Sequence, residues 1–167
     1  MVSPIETVLA ALNDAEVRYL VVGGVAVVLH GHLRTTADLD LVVQLRPDNA
    51  RRAVEALDRL GFRPRPHVRA LDFADEAIRR RWILERGLTV LSFWSPKHPG
   101  LEVDLFASEP FDFDAVHKRG IRLSLDTTET TIPSIDDLIA LKRKVDRPRD
   151  REDIAALEAL KAQRPTS

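Results

Sequence analysis

Apolar residues recur at Ile5, Val8, Leu9 and Leu12. Steps of three and four line one side of a helix, so residues 4–15 are predicted helical. Ser3 stands ahead as an N-cap, and Pro4 takes the first helical position, where its missing N–H would have no partner anyway. The pattern then changes. Tyr19-Leu20-Val21-Val22 is a continuous apolar run of strand length, ended by Gly23-Gly24. Residues 25–32 are mostly apolar and predict a short buried helix. Residues 39–45 predict a second strand, stopped before Pro47. Residues 48–60 have the clearest helical amphipathicity: Ala53, Val54, Leu57 and Leu60 point inward, charges point outward, and Gly61 supplies the stop.

Residues 62–71 carry Pro64 and Pro66 among arginines and read as a loop or a broken edge strand. A helix is predicted over 73–86, with Ile78, Trp82 and Ile83 inward and Arg79-Arg80-Arg81 on a solvated face. Strands over 88–93 and 101–106, joined by the turn-forming residues 95–100, predict a hairpin with Asp104 at its centre. A short helix over 111–118 precedes a strand near 121–125. Ser134 opens a helix over 135–144, with Asp137 at capping-box spacing. Pro148 breaks the chain, and residues 149–162 form a last helix with Ile154, Leu157 and Leu160 on its inner face. Residues 164–167 are expected to fray. The fold class is α/β (α+β): one domain over 1–167, a small mixed sheet with helices against one face, and a helical C-terminal element over 134–162.

Composition narrows the partners. The 167 residues are 44% hydrophobic and 31% charged, with a formal net charge of -1. That balance offers no global basic field for nonspecific nucleic-acid binding. Positive charge is local, in Arg79–Arg81 and in the tract Lys142-Arg143-Lys144 through Arg147, Arg149 and Arg151. Cysteine is absent, which excludes disulfides, thiolate metal sites and a cysteine nucleophile. No basic, then apolar leader opens the chain and no apolar run reaches membrane-spanning length, so a cytoplasmic location is expected.

Chemistry concentrates in Asp38-Leu39-Asp40. In a strand, residues i and i+2 point the same way, so the two carboxylates share one face while Leu39, Leu41 and Val43 take the other. Paired carboxylates repel unless a cation lies between them, and hard oxygen ligands suit Mg²⁺ or Mn²⁺. Asp104 is a third acid in another alternating segment, where Glu102 shares its face. His30 and His32 have no partners at metal-ligand spacing and read as structural, which disfavours a histidine-ligated phosphohydrolase. Asp150 and Asp153 read as N-terminal charges of the last helix, with Asp153 also placed to orient Lys142.

Gly23-Gly24, the apolar helix after it, His30-Gly31, Arg34-Thr35-Thr36, Asp38-Leu39-Asp40-Leu41, Glu102-Val103-Asp104 and the C-terminal stretch 132–154 together resemble the nucleotidyltransferase superfamily with the DNA polymerase beta-like fold. The match is to its minimal, stand-alone bacterial members, which include toxin–antitoxin components. The resemblance spans nearly the whole chain and explains residues 63–87 least. It implies an NTP substrate, Mg²⁺ or Mn²⁺ held by Asp38, Asp40 and Asp104, and transfer of a nucleoside monophosphate to an acceptor hydroxyl. Asp104 would serve the acceptor side. Gly23, Gly24, Arg34 and Thr35 would bind the nucleotide, with Lys142 joining Arg34 on the β- and γ-phosphates. The implied acceptor is a tRNA 3′ end or a protein side chain, with a homodimer or a toxin–antitoxin partner as the implied assembly. An antibiotic acceptor and an idle nucleotide- or partner-binding module are the alternatives.

Overall fold

The computed structural model describes residues 1–165. Thr166 and Ser167, half of the tail expected to fray, lie outside the described residues. Helix α1 (Pro4–Asp14) starts at the predicted proline, with Ser3 O accepting from Thr7 N at 2.9 Å. Strand β1 (Tyr19–Val22) is buried throughout and leads directly into α2 (Gly23–Leu29). That helix begins two residues earlier than the apolar run suggests, because both glycines belong to its first turn. β2 (Asp38–Val43) alternates as predicted, and α3 (Pro47–Arg59) follows with Pro47 in its first turn.

The predicted helix over 73–86 is two elements. A 3₁₀ helix (Ala70–Ala74) ends at Asp75, whose side chain accepts from Ala77 N and Ile78 N and so caps α4 (Glu76–Arg86). Asp75 competes for those amides in an extended conformation, which starts a new helix instead of continuing the old one. β4 (Val90–Trp94) and β5 (Glu102–Phe106) form the expected hairpin. β3 (Arg63–Pro64) is a short edge strand antiparallel to β4, consistent with prolines that cannot donate to a central ladder. After α5 (Phe113–Lys118), β6 (Ile121–Ser124) pairs with β7 (Glu129–Ile132), a strand the hydrophobic pattern did not reveal. α6 (Ile135–Val145) and α7 (Pro148–Gln163) close the chain, separated by Asp146 in the left-handed region at φ 50. Ser134 Oγ caps α6 by accepting from Asp137 N, and the Asp137 carboxylate accepts from Arg119 and from the Ser134 hydroxyl at 2.9 Å, not from the Ser134 backbone N–H.

The main sheet has the order β1-β2-β5-β4-β3, and β2–β5 is its one parallel pair. Leu39, Leu41, Val43, Leu91, Phe93, Val103 and Leu105 are fully buried and form one face of it. The small mixed sheet with helices expected from sequence is present. Among the described residues no helix is long and apolar enough to cross a membrane.

Candidate active site

The parallel pairing sets Asp40 opposite Asp104 and Asp38 opposite Glu102. Residues in register share a face, and alternation adds Asp38 to Asp40 and Glu102 to Asp104. Four carboxylates therefore stand on the face opposite Leu39 and Leu105. Three acids from two distant segments converge: alternation puts Asp38 and Asp40 on one face, and the parallel pairing brings Asp104 beside them, a neighbour that only the family resemblance had implied. Glu102 is engaged by the Arg65 guanidinium, which leaves Asp38, Asp40 and Asp104 as the chemical set.

Their electrostatics is unbalanced. Burial and the carboxylates of Asp104 and Asp38 push Asp40 up to about 6, with partial relief from Arg147 and Lys142. Burial also raises Asp104; the Ser92 hydroxyl across the strand pair lowers it, and Asp38 and Glu102 raise it further. Asp104 Oδ1 is buried and has no hydrogen-bond partner among the described residues. Such an oxygen costs free energy that a bound cation would recover. Among the described residues no group of three or more His, Asp or Glu side chains stands close enough together to hold a metal ion on its own. Mg²⁺ does not require one, since it keeps several waters and is commonly held by one or two carboxylates. The donor chemistry fits it.

Gly23 has φ +65, and a Cβ there would lie 2.7 Å from the Asp40 Cγ. Only glycine brings the backbone this close to the acid pair. At Gly24 a Cβ would meet Arg34 Nη1 at 2.6 Å and Thr36 Oγ1 at 2.9 Å. The first turn of α2 has amides without intrahelical partners, and these two bare residues expose them beside the carboxylates.

Lys142 is not a surface lysine. Its side chain is 4% exposed, and Nζ donates to Asp153 Oδ2 at 2.9 Å and Asp150 Oδ1 at 3.5 Å. Asp153 Oδ2 also accepts from Arg34 Nη1 at 3.0 Å, so one buried carboxylate joins α6, α7 and the loop before β2. Asp150 performs the capping expected of it, accepting from Arg147 N at 2.9 Å, and Arg147 Nε reaches the same oxygen at 3.2 Å. His30 is structural, with its Nε2 2.9 Å from Pro133 O.

Two lobes of a cleft meet at Gly23, Asp40, Asp104, Lys142, Arg147 and Asp150. The polar lobe, about 260 Å³, adds Gly24, Arg34, Thr36, Asp38 and Arg149. The second, about 390 Å³, is walled by Val22, Val90, Phe106, Pro110, Leu141 and Val145. Thr35 is exposed and lines a neighbouring groove together with Arg34, Thr36, Ile5 and Ser124, and of the two threonines only Thr36 also lines the polar lobe. A shift of one residue in an irregular loop reverses which threonine faces the site. Arg147 and Arg149 are additions, and their signal was the basic tract around the helix-breaking Pro148. Arg79 also departs from expectation. It is 4% exposed and donates to Phe73 O at 2.5 Å and Ala107 O at 3.2 Å, stitching α4 to the end of β5.

Solved structures share this architecture. The lincosamide antibiotic adenylyltransferase LnuA, with lincomycin bound, has a TM-score of 0.62 at 14% identity, over 93% of this chain and 95% of that one. The antibiotic-resistance factor ANT(2'')-Ia gives 0.57 at 14% identity, over 95% and 87%. An antigenic nucleotidyltransferase-like protein from Paracoccidioides brasiliensis gives 0.51 at 18% identity, over 95% and 78%. At such identities the likeness speaks for the fold. No curated protein matches the sequence. A family model described as "Nucleotidyltransferase of unknown function (DUF6036)" matches residues 4–162, nearly the full chain. The chain therefore belongs to that nucleotidyltransferase family and is an enzyme of nucleotidyl transfer on the DNA polymerase beta-like fold.

Proposed function

We propose that this single-domain enzyme uses a divalent cation, Mg²⁺ or Mn²⁺, to move a nucleoside monophosphate from an NTP to an acceptor hydroxyl. The carrying observation is the in-register Asp40–Asp104 pair, with its unpartnered buried oxygen, directly against the Gly23 backbone. Asp38, Asp40 and Asp104 would hold the metal, which when bound supplies positive charge at the reacting phosphate and acidifies the attacking hydroxyl. The Gly23 and Gly24 amides donate to triphosphate oxygens. Arg147 and Arg149, in the polar lobe, neutralise charge that builds on the leaving pyrophosphate. Lys142 and Arg34 stiffen that lobe through Asp153. Asp104, raised by its surroundings, accepts the proton from the acceptor hydroxyl. An acceptor O–Pα bond forms, the bond from Pα to the bridging oxygen breaks, and pyrophosphate leaves. An idle binding module has no use for a buried, repelling acid pair.

For the acceptor, a tRNA 3′ end or a protein side chain, in a cytoplasmic toxin–antitoxin setting, is the leading reading. Exposure of Asp38 at the mouth of the cleft supports a large acceptor. The likeness to LnuA and to ANT(2'')-Ia, the latter solved with adenylyl-2''-tobramycin, supports an antibiotic hydroxyl as the second reading. The test is incubation with each α-labelled NTP and Mg²⁺ plus bulk tRNA, a co-encoded protein, or an aminoglycoside or lincosamide. Label on RNA or protein supports the first reading and label on the drug supports the second. Nucleotide retention without pyrophosphate release from any mixture would sink both. Asp104→Asn should cut transfer by at least about 100-fold while leaving the protein folded.

A further inference from the structure

The catalytic face of the sheet continues past its acids. In register, Asp40 and Asp104 stand in line with Ser92 on β4, and Asp38 and Glu102 stand in line with Trp94. The last row ends at Arg63 on β3, and Arg65 N bonds Ser92 O at 2.8 Å, extending the pairing by one residue. Trp94 and Arg65 therefore lie on the same face as the acids, on the side of Asp104 away from the glycine turn. From the strand spacings, Trp94 sits roughly 8 Å from Asp104, backbone to backbone. The indole is 40% exposed, and the Arg65 guanidinium lies over its ring at 5.5 Å.

Residues 63–70 give this edge its charge. Arg63, Arg65, His67 and Arg69 are exposed and the residues between them are half-buried, on a segment that leaves β3 after Pro64 and bends through 65–68, where Val68 N bonds Pro66 O at 2.8 Å. Lys97, from the β4–β5 turn, packs against Gly61 at the same edge. Two acids temper the patch: Asp58 holds Arg63, and Glu102 holds Arg65. Arg69 and Lys97 have no carboxylate partner among the described residues. A part-exposed aromatic ring, covered on one face by Arg65, among basic side chains matches the pattern that binds single strands, with phosphates on the cations and a base on the ring. A polycationic acceptor would meet like charge here.

We infer that the Trp94–Arg65 face, with Arg63, His67, Arg69 and Lys97, docks the 3′ end of a single-stranded RNA. Its terminal base stacks on Trp94 and its 3′ hydroxyl reaches Asp104. The inference rests on the nucleotidyl-transfer reading for that last step and on the basic–aromatic edge alone for binding. The glycine turn lies beyond Asp40, across the sheet from Trp94, and neither lobe of the cleft is lined by Trp94 or Arg65, so NTP and RNA approach the acids from different directions.

The test is fluorescence anisotropy of a labelled RNA of about 12 nucleotides with a free 3′ hydroxyl, titrated with the full chain in EDTA without NTP. Binding should weaken with salt. Trp94→Ala should weaken it about tenfold, and Trp94→Phe should restore most of the loss. Arg69→Gln should lower the slope of log affinity against log salt by about 0.7. NTP binding, followed by thermal shift with Mg²⁺, should stay at the wild-type level in all three variants. Equal RNA binding by wild type and Trp94→Ala overturns the docking surface. So does absence of RNA binding in a protein that still takes up NTP, and nucleotidyl transfer then stands without this surface. Trp94-dependent RNA binding in a protein that neither binds NTP nor releases pyrophosphate supports the surface and removes the transferase reading.

Discussion

Asp40→Asn preserves the shape of the side chain and removes its charge. In the folded protein Asp40 titrates at about 6, against an ordinary value of 3.8. One unit corresponds to about 1.4 kcal/mol, so ionised Asp40 costs the cation-free fold up to about 3 kcal/mol near pH 7.5. The sign follows from proton uptake. The native state holds this proton more tightly than the unfolded chain does. The linked stability is therefore complete below about pH 4 and lost as pH rises through about 6. For a chain of this length about 1 kcal/mol moves the melting point by roughly 2–4 °C. Asp40→Asn should then melt as much as roughly 6–12 °C above wild type in EDTA at pH 7.5, and the gap should close toward pH 4. Mg²⁺ at about a hundredfold excess over its Kd returns about 2.7 kcal/mol to the wild type and narrows the difference. Transfer by the variant should be lost. The assay is circular-dichroism melting from pH 4 to 8, with EDTA or Mg²⁺. A variant no more stable than wild type at pH 7.5 in EDTA would refute the reasoning, as would a gap independent of pH.

Three further substitutions test two parts of the site and one contact outside it. Gly23→Ala places a Cβ on the Asp40 carboxylate at a positive φ; it should cost about 1–3 kcal/mol in urea unfolding and abolish pyrophosphate release. Asp153→Ala leaves buried Lys142 and half-buried Arg34 without their shared partner. The expected loss is about 3–5 kcal/mol by urea denaturation, and a loss below about 1 kcal/mol would show that the network carries little stability. Arg79→Met strips the donors from Phe73 O and Ala107 O. It should destabilise by about 1–3 kcal/mol while the folded fraction transfers nucleotide at the wild-type rate.

The strands β2 and β5, and the shared face of Asp38 and Asp40, were legible because both signals have a period of two; that Asp104 stands beside them was implied only by the family resemblance, since alternation does not say which strands pair. Asp38 and Asp40 share a face for the same reason that Leu39 and Leu41 share the other, and Asp104 follows the same rule in β5. Helix α3 was legible through its continuous amphipathic stripe. β7 was not, because Glu129-Thr130-Thr131-Ile132 has one strongly apolar residue and owes its place to pairing with β6. Arg79 looked like one of three solvated arginines, since nothing local says that Phe73 and Ala107 present unpaired carbonyls to it. The split at Asp75 depends on side-chain capping that competes with a helical pattern the sequence also satisfies. Thr35 and Thr36 lie in a loop, where no periodicity distinguishes neighbours.

Lys142 shows what pattern reading leaves out most clearly. As a cation near three carboxylates it has an obvious partner in Asp40, and a direct pair would neutralise the charge that a metal must find. Asp150 and Asp153 hold it instead, and Asp153 holds Arg34 as well. Each cation thereby has a nearer carboxylate than those on β2 and β5. Lys142 and Arg147 lower Asp40 only in part, and it stays raised to about 6. On the proposed reading this arrangement has two effects. The acids keep an unmet demand for a divalent cation, and the basic side chains stay beside the polar lobe, available to phosphate. Removing Asp153 would therefore do more than loosen α7. It would free two cations to collapse onto the acids, and metal affinity would fall along with stability.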